Sequence, residues 1–213
     1  MTEQYIEEQC EKFDIEYYDI NDDMSIDVDE DVYIRFGLMS KLPINFNIVY
    51  GDFICNQITL KTLKGCPKEI HGDFDASSNR LKDLQYCPKY VEGCVFLYNN
   101  QINNLKHFFL NTGRLFLSEN NIRTFDNLSD RIFDIRNNPV NPLWDLFQDK
   151  KYINYFNELD IITPDEKSII LDRLNYFLID IGKSELEILS KDESAFKDKY
   201  NNIHYFENYN IIY

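Results

Sequence analysis

A chain of 213 residues with 44% hydrophobic and 28% charged side chains has the apolar mass for one sizeable domain with a cap, and too much of it for a disordered segment. The formal net charge of −15 is gathered at one end: residues 1–31 carry 13 acidic side chains against Lys12 alone, while the other 182 residues hold 24 acids and 21 bases. The absence of a basic stripe argues against nucleic-acid binding, and no apolar run approaches the roughly 20 residues of a membrane span.

The first stretch, MTEQYIEEQC, lacks the basic-then-apolar pattern of a secretory leader, so a soluble protein of the cytoplasm is expected. Residues 1–24 are read as an acidic N-terminal helical cap, the helix running from Glu3 to about Tyr17. Asp19, Asn21, Asp23, Ser25, Asp27 and Glu30 fall at the spacing of an EF-hand calcium loop. Met24 stands where that loop needs Gly, however, and the Ile26-x-Val28 alternation fits a strand better than a loop entering a helix.

Residues 25–141 repeat. Gly51, Gly72 and Gly93 are 21 apart and Gly113 follows after 20; behind each comes apolar-x-apolar, two residues, Asn, x, apolar. The clear copies are Phe74-x-Ala76-x-x-Asn79-x-Leu81, Val95-x-Leu97-x-x-Asn100-x-Ile102, Leu115-x-Leu117-x-x-Asn120-x-Ile122 and Phe133-x-Ile135-x-x-Asn138-x-Val140. Phe53-x-Cys55-x-x-Ile58-x-Leu60 and Val32-x-Ile34-x-x-Gly37-x-Met39 are fainter, which makes about six repeats of 18–21 residues. Alternating apolar residues point inward from a short strand that pairs in parallel with the next copy. The Asn side chain satisfies backbone groups where the chain leaves the strand, so Asn79, Asn100, Asn120 and Asn138 should form a ladder. The Gly before each strand is expected to supply a backbone angle that other residues resist. So short a repeat leaves room only for extended or single-turn segments on the opposite side, and Pro67 and Pro88 agree. Cys10, Cys55, Cys66, Cys87 and Cys94 show no CxxC pair and the three histidines are scattered, so reduced structural thiols are expected, with no cofactor or metal.

The string Leu84-x-x-Cys87-Pro88-x-x-Val91-x-Gly93, LKGCPKEIHGDF, and NNPVNPLWDLFQDKKYINYFNELDI together resemble the leucine-rich repeat proteins encoded by bacteriophages and related viruses, over roughly residues 25–182. The resemblance implies an α/β fold: a curved leucine-rich repeat solenoid with a parallel β-sheet on the concave face, an N-terminal helix and a C-terminal helical cap. It also implies a binding role. The Leu42-Pro43 repeat is similar to that of secreted bacterial effectors that append a ubiquitin ligase, but the residues after the repeats are too few for such a domain and hold no Cys.

Residues 142–213 are read as a C-terminal helical cap with an aromatic-rich tail. Asn141-Pro142 predicts a helix start with Asn as cap, and Thr163-Pro164-Asp165-Glu166 predicts a second through a capping box. Ile170, Leu174, Phe177 and Ile181 continue that helix to Gly182; the tail FKDKYNNIHYFENYNIIY either packs back or docks elsewhere.

By register, three columns project from the sheet. The central one is Tyr33, Ile54, Asp75, Phe96, Phe116 and Asp134; Asp31, Asp52, Asp73, Cys94, Arg114 and Ile132 precede it, and Arg35, Asn56, Ser77, Tyr98, Ser118 and Arg136 follow it. The partner-binding candidates are Tyr33, Arg35, Ile54, Asp73, Asp75, Phe96, Tyr98, Arg114, Phe116, Asp134 and Arg136, because aromatics beside Arg make interface hot spots. No phosphate loop, HExxH or GxSxG occurs, and His71 has no nucleophile partner, so no enzymatic role is expected. The expected protein is a monomeric module that binds a host or viral protein partner; the alternative is an assembly component of a viral particle.

Overall fold

Each 21-residue copy forms one turn of a β-solenoid that carries two strands. The computed structural model describes every residue except 36, 104, 106–113, 126–131 and 191–194. Gly113 and His107 therefore lie outside the described residues, as do the side chains of Ile132 and Phe133. The chain divides into two units, Met1–Asn121 with Arg131–Asn138, and Ile122–Asp130 with Pro139–Tyr213.

The first unit opens with α1 (Glu3–Lys12), where the Thr2 hydroxyl accepts the Tyr5 N–H and Ile6 and Cys10 are buried one turn apart. The expected helix to Tyr17 is corrected: it stops at Lys12 because Asp14 takes a left-handed φ of 56° and Ile15 N–H closes back on Cys10 O at 2.9 Å. A Glu30 carboxylate oxygen accepts the Glu16 and Tyr17 N–H groups and holds the chain extended. β1 (Tyr18–Ile20) and β2 (Ser25–Val28) then form an antiparallel hairpin pairing Asp19 with Asp27. Met24, at φ 61°, sits in its turn, and strand β2 follows where an EF-hand requires a helix.

The turns continue as β3 (Val32–Tyr33), β4 (Asn45–Val49), β5 (Phe53–Ile54), β6 (Glu69–Ile70), β7 (Phe74–Asp75), β8 (Tyr90–Val91), β9 (Cys94–Phe96), β10 (Arg114–Phe116) and β11 (Ile132–Asp134). They make a six-stranded parallel sheet in the order β11-β10-β9-β7-β5-β3 and a five-stranded sheet in the order β1-β2-β4-β6-β8, parallel apart from β1. Four turns carry a strand in each sheet. The second sheet is where the sequence led us to expect extended segments. Its apolar anchors Val28, Val49, Ile70 and Val91 recur every 21 residues and are fully buried. Between the sheets, Val32, Phe53, Phe74, Val95 and Leu115 form one inward column and Ile34, Cys55, Ala76, Leu97 and Leu117 the next, all at most 1% exposed. Large residues sit beside small ones in the same turn, as in Phe53 with Cys55 and Phe74 with Ala76, and all four are fully buried.

Two polar devices lock turn to turn. The first is the Asn ladder: Asn79 accepts the Ile58 and Leu60 N–H groups and donates to Cys55 O and Ala76 O, and Asn100, Asn120 and Asn138 donate likewise to Ala76, Leu97 and Leu117 carbonyls one turn back. The residue before each rung is left-handed, Ser78, Asn99, Glu119 and Asn137, and so is Gln57 at the equivalent position before Ile58, with φ between 54° and 57°. The second device corrects the expected role of glycine. None of Gly51, Gly72 and Gly93 is left-handed; each lies against the Asp of the preceding turn. Asp31, Asp52 and Asp73 each accept, through Oδ1, the N–H of the residue 21 positions on, at 2.7–2.8 Å. A Cβ on Gly72 would come within 2.2 Å of that Asp52 oxygen.

The second unit contains α2 (Asn141–Phe147), a 3₁₀ turn at Lys150–Tyr152, α3 (Ile153–Glu158), β12 (Ser168–Ile170), α4 (Leu171–Asp180), β13 (Glu187–Ser190), β14 (Ala195–Lys197), β15 (Ile203–Tyr205) and β16 (Asn210–Ile212). It mixes helices with two small sheets, where the sequence led us to expect helices followed by an aromatic-rich tail. α2 starts one residue early, with Val140 at the cap position, and Asn141 instead donates to Asp145. The capping-box expectation at Thr163 is also corrected. Thr163 Oγ1 accepts the Ser168 N–H, Asp165 accepts the Lys167 N–H, and Glu166 is left-handed, so the chain turns into β12 and α4 begins only at Leu171. Leu171, Leu174, Phe177 and Leu178 are its buried face, and Gly182 follows at φ 81°. Phe125, Phe147, Phe156 and Phe177 form a cluster with centroids 5.1–5.6 Å apart, edge-to-face except for the stacked Phe147–Phe156 pair. The aromatic tail packs into this unit: β16 pairs in parallel with β12, Phe196 and Phe206 are buried, and the Tyr209 hydroxyl donates to Arg123 O.

Candidate functional site

The outer face of the six-stranded sheet takes its geometry from the strand period. Side chains that alternate with the buried columns stand outward, one turn above the next. Tyr33, Ile54, Asp75, Phe96, Phe116 and Asp134 fall on one register line. All eleven sequence candidates belong to this face, but they do not share one chemistry.

At the β3 end, the Arg35 guanidinium lies 4.2 Å from the Tyr33 ring centroid, and the Tyr33 hydroxyl donates to Asp31 Oδ2 at 3.2 Å. Partial burial, followed by the Asp31 charge, pushes the Tyr33 phenol above its usual value. Asp73 uses one oxygen on the Cys94 N–H. Asp75 accepts the Ser77 N–H at 2.8 Å and the Asn56 amide at 2.7 Å. The ladder of carboxylates that reads as a surface for a basic partner is in large part backbone bonding. At the far end Asp134 is gripped by Arg136 through Nε and Nη2, both at 2.9 Å, and by the Arg136 N–H. The Arg136 side chain lowers the Asp134 pKa despite partial burial.

The middle of the face is apolar. Phe96 and Phe116 stack with centroids 4.9 Å apart and planes 20° apart, and Tyr98 stands edge-on to Phe96 at 6.5 Å. Arg114 is exposed on the neighbouring column. Tyr98 is 37% exposed and both phenylalanines are half-buried, so the stack is open to solvent. The geometry of such a patch can take a flat apolar or aromatic group.

Two features went unseen in the sequence. His71, which the sequence shows only as a histidine without a nucleophile partner, packs against the rings of Tyr50 (5.2 Å) and Tyr90 (5.7 Å), with its Nδ1 3.5 Å from Glu92. The 21-residue period relates Tyr50 to His71, so a search of polar as well as apolar repeat positions finds the pair. Three lysines also gather beside the five-stranded sheet, around a cleft considered below. Among the described residues, no group of three or more His, Cys, Asp or Glu side chains converges as metal ligands would. Burial pushes the Cys66 thiol well up and the Cys87 thiol up to about 12, which leaves both protonated and inert. No helix among the described residues is long and apolar enough to cross a membrane.

Comparison of the chain with protein-family models, with curated proteins and with solved structures gives no match.

Proposed function

We propose that this chain is a non-enzymatic binding module of the phage leucine-rich repeat type, which docks a host or viral protein on the outer face of its six-stranded sheet. The observation that carries the reading is the Phe96–Phe116 stack with Tyr98 at its edge. A solenoid has no packing need for aromatics on that side of a strand, since its core is filled by the opposite column. The bonded carboxylates on one side and the Asp134–Arg136 pair on the other give the patch a polar rim. The regular Asn rungs support the leucine-rich repeat assignment.

The test is capture from bacterial lysate by the natural chain and by a Phe96→Asp/Phe116→Asp variant whose circular dichroism and melting are unchanged. A single protein held by the first and lost by the second supports the reading. Equal capture by both moves the binding surface off this sheet and overturns it.

A further inference from the structure

The triplet Cys-Pro-Lys occurs twice, at Cys66-Pro67-Lys68 and Cys87-Pro88-Lys89, again 21 residues apart. Both prolines are buried, which fixes the chain as it enters β6 and β8 and sets the lysines on one register line. Lys89 N–H donates to Lys68 O at 2.8 Å, so the two side chains leave adjacent strands from equivalent positions. One turn earlier that position is Asn47, whose Oδ1 accepts Lys68 Nζ at 3.0 Å. The series then breaks: where Lys89 would find its acceptor stands Lys68, a second cation. Like charges directly opposite on paired strands are destabilising.

These lysines border a cleft of about 360 Å³ in the first unit, together with Lys64, Tyr86, Phe46 and Asp23. Among the described residues, none of Lys64, Lys68 and Lys89 makes an ion pair. Asp23, the one acid in the lining, accepts the Ser25 N–H and hydroxyl through Oδ1, and these bonds, with a smaller contribution from the Lys68 charge, hold its pKa down. Tyr86, held at φ 68°, is 51% exposed at the cleft. A chain of net charge −15 thus sets three lysines against one aspartate around a single concavity, with an aromatic ring among them.

We propose that this cleft binds a phosphomonoester on a flat carrier, of the chemical class of a mononucleotide. The phosphate lies among the Lys64, Lys68 and Lys89 ammonium groups, and the flat group lies against Tyr86. The volume is at the small end of ligand sites, which suits a molecule of this size and excludes a folded partner. The site is independent of the proposed protein-binding face, since its strands belong to the other sheet.

The test is a titration of the full chain with AMP, with inorganic phosphate and with adenosine, followed by amide shifts at residues 64–68 and 86–89 and by calorimetry. AMP is expected to bind at least about tenfold more tightly than phosphate, and adenosine to bind more weakly than AMP by a similar factor. Lys68→Gln/Lys89→Gln should weaken AMP by about tenfold or more with melting unchanged. Tyr86→Asn, which tolerates the left-handed backbone, should narrow the gap between AMP and phosphate while leaving phosphate itself alone. The Phe96→Asp/Phe116→Asp variant should bind AMP as the natural chain does. Absence of any shift at about 5 mM AMP, or AMP binding indifferent to the double lysine change, overturns the proposal, and equal affinity for AMP and phosphate overturns its aromatic half.

Discussion

At the scale of the residue, Asn79 shows how little of a rung is interchangeable. Its oxygen accepts two N–H groups from the preceding turn and its nitrogen donates to carbonyls of both turns, all of it buried. Asn79→Leu should cost about 2–4 kcal/mol in urea unfolding, because backbone groups of two turns lose their partners inside the core. Asn79→Asp should be as damaging at pH 7, since a carboxylate would face carbonyl oxygens with no proton to share. Its folded-state pKa would lie above the unfolded value, so the variant should regain stability as pH falls below about 5, the reverse of ordinary acid denaturation. Asp134 has the opposite sign. Its pKa is lowered by the Arg136 side chain, so its contribution is present above the usual carboxylate range and is lost as pH falls through about 4 and below. A melting-temperature curve for Asp134→Asn should be flatter than the parent's in that acid limb. The Asn rungs were legible in the sequence because they recur every 18–21 residues in one apolar frame and an amide can both donate and accept. The Asp31, Asp52 and Asp73 bonds were not: a carboxylate on an outward column looks like surface until the neighbouring strand brings an N–H to it.

At the scale of the element, the glycines separate two mechanisms that sequence alone merges. Gly72→Ala would press a methyl onto Asp52 Oδ1 at 2.2 Å and onto the Asp52 backbone N at 2.7 Å. It should cost about 2–4 kcal/mol by equilibrium unfolding. Adding Asp52→Ala should recover less than half of that, because the backbone contact remains and the Asp73 N–H loses its acceptor. Gly37→Ala meets open space but must hold φ near 96°, and should cost only about 1 kcal/mol. Strand positions were readable from the alternation of buried residues, which the core enforces. Helix limits were less so. Glu3 to Tyr17 reads as one acidic helix until Glu30, 14 residues further on, captures Glu16 N–H. Thr163-x-x-Glu166 has the residues of a capping box, but its hydroxyl goes to Ser168 and β16 supplies a strand partner. In each case a contact from distant sequence outcompeted a local preference.

At the scale of the whole molecule, charge and fold are set apart along the chain. The 13 acidic side chains of residues 1–31 repel one another in α1 and the hairpin, with Lys12 alone to offset them. Raising NaCl from about 20 to about 300 mM should therefore raise the urea midpoint, and Glu7→Gln/Glu8→Gln/Glu11→Gln should reduce that response. An unchanged midpoint would mean that the acidic segment does not strain the folded state. The parallel pairing was legible from periodicity, whereas about six repeats were expected and four turns carry a strand in each sheet. The second sheet was less legible, because its later strands β6 and β8 have two residues and one buried position each, too little alternation to detect.

The contact between each Asp and the Gly of the next turn has a consequence for how such a chain can lengthen. The segment from Asp52 to Gly72 begins with one half of a clasp and ends with the other. Copied once in tandem, it would meet itself with both halves matched, and the flanking turns would see no difference. A single residue inserted within it would instead move the glycine off its aspartate and put a side chain in the gap. The fold admits growth in whole turns and resists it in smaller steps, so repeat length here is held by a mechanical fit on the outside of the coil as well as by the filling of its interior.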